Sequence, residues 1–185
     1  MTFCARASSI SALAALIVPN LIAQEMNLVK LHVDSFSVIG IQTRTTNAEE
    51  AKNSSIGKLW ARIAGEDLFD RIPHRVDGHI VAVYSDYESD KDGAYTYTLG
   101  AKVTSSHDIP AGMGAVKVIS GDYAMFTAQG GAPPQMTVDL WKRIWSLEKP
   151  GPLHRAYKTD FEVHYKGLNA HPPDTHIDVY IGVQK

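Results

Sequence analysis

The segment Arg155-Ala-Tyr-Lys-Thr-Asp-Phe-Glu-Val-His-Tyr165 gathers acidic, basic and aromatic side chains into one short stretch. On a β-strand, side chains alternate between faces. Tyr157, Thr159, Phe161, Val163 and Tyr165 would then share one side, and Lys158, Asp160, Glu162 and His164 the other. The first set reads as core packing. The second places two carboxylates at successive same-side positions in a late strand that is expected to be central. A carboxylate among apolar groups has to be paired, hydrogen-bonded or protonated, because burying a bare charge is costly. Glu162 is therefore the leading candidate for chemistry, and two readings are open. It can sit on the sheet surface in a salt bridge with Lys158 or Lys166. Alternatively, it can serve as the counter-charge of a cationic ligand or, with its pKa raised by burial, as a general acid or base.

Aromatic rings are the natural complement of such a carboxylate. Ring faces attract cations and stack on flat molecules, each contact contributing roughly 0.5–2 kcal/mol. Trp60, Tyr87, Tyr95, Tyr97, Trp141 and Tyr180 are the candidate pocket walls, set against the reading that Trp and Tyr at regular spacing are core. Tyr95 and Tyr97 share one strand face. The eight histidines show neither His-x-x-x-His nor Glu-x-x-His spacing, so no metal site is expected. Gly112-Met-Gly114 and Gly130-Gly131 read as turns, no nucleophile elbow is present, and no cofactor is expected.

These side chains need elements to hold them. Ser35–Arg44 reads as a strand that leads at Asn47 into a helix over Ala48–Phe69, whose Ile56, Leu59, Trp60 and Ile63 form one apolar stripe. Ile80–Tyr87 and Ala94–Val103 read as a strand pair around a polar loop ending in Gly93. After Ile109-Pro-Ala-Gly112 the same grammar restarts. Short strands at Ala115–Ile119 and Asp122–Ala128 lead to a helix over Gln135–Leu147, and strands at Arg155–Lys166 and Thr175–Val183 follow. Words recur as well as order. Leu59-Trp-Ala-Arg-Ile63 is echoed by Leu140-Trp-Lys-Arg-Ile144, and Leu99-Gly100 by Ile181-Gly182 at nearly the same offset. The pattern predicts an α+β fold of duplicated β-α-β-β units with pseudo-twofold symmetry, an antiparallel sheet and two helices around a central cleft. Under that symmetry Trp60 and Trp141 are mates, so both should border the cleft or neither.

Composition sets the outer bounds. With 185 residues, 44% of them hydrophobic and 21% charged, the chain is expected to form one globular domain. A formal net charge of -2, with Lys and Arg scattered, disfavours direct nucleic-acid binding. The single cysteine, Cys4, lies in the N-terminal extension, which leaves no pair for a disulfide. Residues 1–25 are read as that extension, either an export signal or residues upstream of a true start at Met26, with the domain over 26–185. The uncharged run around Ile10–Val18 is too short to span a bilayer, and a cytoplasmic location is expected unless the run is a true signal peptide.

The Asp-Phe-Glu162 strand, the helix word Leu140-Trp141, Tyr97-Thr-Leu-Gly100 and Asp178-Val-Tyr-Ile-Gly182 together resemble the GyrI-like family, the AraC-type effector-binding domain, in its standalone form. The resemblance covers Asn27 to Lys185. It implies a duplicated antiparallel α+β fold with a central cleft. It also implies an acidic strand residue, here Glu162, facing amphipathic and often cationic aromatic ligands. Members of the family include multidrug-responsive regulators, gyrase inhibitors and integron cassette proteins, and some hydrolyse reactive cyclopropane compounds. No helix-turn-helix precedes Phe36, so this chain departs from the fused regulators. The implied role is binding or sequestration of a small organic molecule. Hydrolysis of an electrophile by Glu162, or a protein-partner role, stands as the alternative.

Overall fold

Thr46 separates the first long strand from the first helix. Strand β2 (Phe36–Thr45) ends there, and the Thr46 hydroxyl accepts the Glu49 N–H at 3.1 Å, capping α1 (Asn47–Asn53). Glu49 and Glu50 in the first turn complement the helix dipole. The single helix expected over Ala48–Phe69 is in fact two. Ser54 adopts a left-handed conformation (φ 49°) and the chain restarts as α2 (Ser55–Gly65). The cause is local, because Asn53-Ser54-Ser55 favours caps and turns over helix interior. Ser54 makes no side-chain cap. Glu50 reaches across instead, its Oε2 accepting the Ile56 N–H at 2.9 Å.

The coordinates are those of a computed structural model and describe residues 29–148 and 151–184. The possible signal sequence, Cys4 and the Met26 start lie outside the described residues. The other elements are β1 (Val29–Val33), β3 (Ile80–Ser85), β4 (Tyr95–Val103), β5 (Gly114–Val118), β6 (Gly121–Gln129), α3 (Pro133–Ser146), β7 (Arg155–His164) and β8 (His176–Val183). The eight strands form one antiparallel sheet in the order β1-β6-β8-β7-β3-β4-β2-β5. That order is symmetric when the halves of the chain are exchanged. β6-β8-β7 mirrors β2-β4-β3, and the first strand of each half pairs on the far edge of the other half. The sequence did not indicate β1, whose partner β6 lies far along the chain.

Helices α2 and α3 cover one face. Leu59, Ile63, Leu140 and Ile144 pack there against Leu99, Ala82, Val179 and Ile181. The opposite face carries a smaller core of Val38, Val81, Val83, Val118, Tyr123 and Phe161. At the β5–β6 corner the Tyr123 hydroxyl donates to the Ile119 carbonyl at 2.7 Å and shares a 2.7 Å hydrogen bond with Thr159 of β7.

Two local features set the position of the central strands. Gly40 and Gly100 face each other across β2 and β4, so close that a Cβ on Gly100 would lie 1.9 Å from the Ile39 carbonyl oxygen. In β7 the register against β8 shifts between Arg155 and Asp160, and Tyr157 takes a positive φ of 50°. This bulge breaks the simple alternation and turns Arg155 onto the same face as Asp160 and Glu162. Lys158 is left exposed, and Tyr157 is drawn out of the expected core row.

Candidate functional site

β3 and β7 are neighbours at the centre of the sheet, with Ala82 opposite Glu162 and Tyr84 opposite Asp160. Their helix-side residues meet the inward faces of α2 and α3 around a cavity of about 530 Å³. Glu162 lies at its floor and is 1% exposed. Its Oε1 accepts the Tyr84 hydroxyl at 2.7 Å and the Trp141 indole N–H at 2.5 Å, and its Oε2 accepts His164 Nε2 at 2.7 Å. Burial alone would raise the Glu162 pKa. The hydrogen bond and charge of His164, with the donors Trp141 and Tyr84, outweigh it and hold the value below the ordinary 4.5. The expectation that burial raises the Glu162 pKa is thereby corrected.

Neither lysine proposed as a surface partner reaches Glu162. Lys158 is exposed, and Lys166 pairs with Asp174 at 3.2 Å. The salt bridge of this strand forms instead at Asp160, 2.6 Å from the guanidinium of Arg155. Asp160 also accepts the Tyr87 hydroxyl at 2.6 Å and the Gly182 N–H at 2.7 Å. The other arm of Arg155 contacts Glu148 at 2.7 Å, and its guanidinium carbon lies 4.4 Å from the ring centroid of Tyr157. Burial by itself would lower the Arg155 pKa, but Asp160, Tyr87 and Glu148 prevail and raise it, keeping the group charged. Asp160 is thus neutralised within the protein, whereas among the described residues Glu162 has a single charge partner, His164, whose charge depends on protonation.

The aromatic residues fall into two groups. Trp60, Tyr87, Tyr95, Tyr97 and Trp141 all line the cavity with Glu162. The Trp60 indole N–H donates to the Tyr97 hydroxyl at 3.1 Å, and its ring stands edge-on to His164 at 4.7 Å. Tyr84 lies at the centre, with ring centroids 5.0 Å from Tyr97, 5.5 Å from Tyr95 and 4.9 Å from Trp141. Burial first, and Glu162 next, push the Tyr84 and Tyr97 hydroxyls well above their ordinary pKa, so both remain protonated, Tyr84 donating to Glu162 and Tyr97 accepting from Trp60. Tyr180 is the exception and corrects the expectation. In β8 the neighbouring Val179 and Ile181 face the helices, so Tyr180 points to the opposite face and stacks on Phe161 at 4.4 Å.

Tyr84, His164 and Arg155 were not proposed as pocket residues from sequence. Alternation had already placed His164 beside Glu162. Arg155 was concealed by the bulge at Tyr157, and Tyr84 by the β3–β7 pairing of segments distant in sequence. No group of metal-ligating side chains suited to a metal ion occurs among the described residues. Among the same residues no helix is long and apolar enough to cross a membrane.

Comparison with known proteins identifies this architecture. The integron cassette protein VCH_CASS2 from the mobile metagenome of Vibrio cholerae is 31% identical, with 84% of this chain and 95% of that chain covered and a TM-score of 0.66. The protein YobU of Bacillus subtilis (strain 168), whose name marks it as a candidate transcriptional regulator, is 28% identical over 157 residues, covering 83% of this chain and 96% of its own. The structure of SAV2435 bound to tetraphenylphosphonium superposes with a TM-score of 0.67 at 18% identity, over 86% of this chain and 94% of that one, and so shares the fold. Residues 31–183 match the Cass2 family, described as integron-associated effector binding protein. The GyrI-like fold and this match together show that the chain belongs to the Cass2 family of effector-binding domains.

Proposed function

We propose that this domain binds amphipathic aromatic cations, with Glu162 as the counter-charge and Trp60, Tyr84, Tyr95, Tyr97 and Trp141 as the walls, and performs no chemistry on them. The observation that carries this reading is the state of Glu162. It is buried and held toward its ionised form, and among the described residues its only charge partner is His164, charged only if protonated. An anion held in an aromatic, low-dielectric cavity attracts a cation far more strongly than the same group would in water. A relative of the same fold holding tetraphenylphosphonium, a lipophilic cation, agrees with this assignment.

Acid catalysis is the weaker reading, because a general acid at neutral pH needs a raised pKa and the Glu162 value is lowered. Titrating a rhodamine-type cationic dye into wild type and Glu162→Gln, followed by fluorescence quenching, tests the binding assignment. The substitution keeps the side chain's shape and removes its charge. We expect affinity to fall by about tenfold or more, roughly 1.4 kcal/mol or above. Equal affinity in both proteins would overturn the proposal.

A further inference from the structure

A second carboxylate lines the same cavity. Glu50 lies where α1 gives way to α2, and its side chain is held by two neutral donors, the Thr45 hydroxyl at 2.7 Å and the Ile56 N–H at 2.9 Å. These bonds fix its position and leave its charge unmatched. The two permanent cations on the cavity wall are already occupied. Lys91 is 2.7 Å from Asp92, and Arg155 is bound by Asp160 at 2.6 Å and Glu148 at 2.7 Å. Among the described residues neither Glu50 nor Glu162 has a Lys or Arg partner. The cavity therefore carries two negative charges without a fixed counter-ion, and a protonated His164 would offset one of them.

The two carboxylates come from different elements, Glu50 from the α1–α2 corner and Glu162 from β7. Ile56, held by Glu50, and Trp60, which stands against His164, are one turn of α2 apart, a rise of about 6 Å. The Trp60 and His164 rings are 4.7 Å apart, and His164 touches Glu162 at 2.7 Å. Glu50 therefore meets α2 at its first turn, and Glu162 connects through His164 to the turn that carries Trp60. Tyr95 feels both carboxylates, its hydroxyl being pushed up by burial first, then by Glu50, then by Glu162. It donates to Asn47 Oδ1 at 3.0 Å, which places this ring beside the Glu50 helix.

From this arrangement we infer that the preferred ligand class is the elongated aromatic dication, with one positive group at Glu162, the other at Glu50, and the aromatic body between Trp60 and Tyr95. This inference rests on the proposed role of Glu162 and adds a second charge to it. A matched pair of probes tests it: N,N′-dimethyl-4,4′-bipyridinium, which carries two charges, and N-methyl-4-phenylpyridinium, which has nearly the same shape and one charge. Wild type is expected to bind the dication about tenfold more tightly by calorimetry.

In Glu50→Gln, whose amide oxygen can still accept the Ile56 N–H, that preference should collapse toward unity. Glu162→Gln should weaken both probes. A wild type that binds the two equally overturns the dication inference without needing any variant to fold, and so does a preference that survives in Glu50→Gln. Either result leaves the Glu162 proposal standing if Glu162→Gln still weakens the monocation. If Glu162→Gln weakens neither probe, the underlying proposal fails as well.

Discussion

At the scale of single residues, the site depends on how Glu162 is satisfied. Tyr84, Trp141 and His164 all donate to it, so a truncation leaves three buried donors unpaired. Glu162→Ala should lower unfolding free energy by about 3 kcal/mol in urea titration, in the range seen when a buried charged group loses its partners. Tyr84→Phe removes one of these bonds and should cost about 1–2 kcal/mol in the same assay. The pH dependence has a definite sign. Because the folded-state pKa lies below 4.5, the ionised group's contribution is complete above that pH and is lost as pH falls through the lowered value. The stability gap between wild type and Glu162→Gln should therefore narrow on acidification below pH 4.5, and a gap that widens there would contradict the assignment. Alternation along one strand was enough to single out Glu162 and to set His164 beside it. It could not say that Asp160, two positions earlier, would take the only Arg on the strand, because that outcome depends on the bulge at Tyr157.

At the scale of elements, the sheet holds the site because its strands approach closely at chosen points. A methyl group on Gly100 would collide with backbone atoms of Ile39 and Gly40, which cannot rotate away as a side chain can. Gly100→Ala should force β2 and β4 apart, destabilising the fold by about 3 kcal/mol or more and shifting Tyr95 and Tyr97. A thermal melt with near-ultraviolet circular dichroism reads both effects. The repeated word that ends in Gly100 recurs at Gly182, where a Cβ would lie 2.8 Å from the Thr159 carbonyl oxygen at the β7 bulge. The repeat thus marks two places where backbones come close. Thr46→Ala removes the α1 cap and should cost about 1 kcal/mol. Strand and helix positions were legible because apolar periodicity encodes them locally. The break at Ser54 and the strand β1 were not. The break turns on a single left-handed residue, and β1 is ordered by β6, a partner nearly a hundred residues away.

At the scale of the whole molecule, the cavity lies where the two halves of the chain meet, at the β3–β7 seam of a strand order that is symmetric about that seam. Trp60 from α2 and Trp141 from α3 enter from the two sides, but their partners differ. Trp60 donates to Tyr97, and Trp141 donates to Glu162. The symmetric frame therefore holds an asymmetric charge, with Glu162 contributed by β7 and Glu50 by the α1–α2 corner. Repeated words and repeated order revealed the frame, whereas the asymmetry needed the three-dimensional pairing of distant segments. A ligand seated at the seam bridges both halves and should stabilise the fold as a unit. At a concentration one hundred times its dissociation constant it contributes about 2.7 kcal/mol, which should raise the melting temperature by roughly 5–10 °C.

The most direct test of Glu162 as counter-charge compares an N-methylquinolinium dye with its uncharged quinoline parent, each titrated into wild type and Glu162→Gln. Wild type should prefer the cation by about tenfold, and the preference should fall severalfold in the variant, because aromatic packing is common to both ligands and attraction to the Glu162 charge is not. The same cation-to-neutral ratio in both proteins would contradict a charge-based role for Glu162.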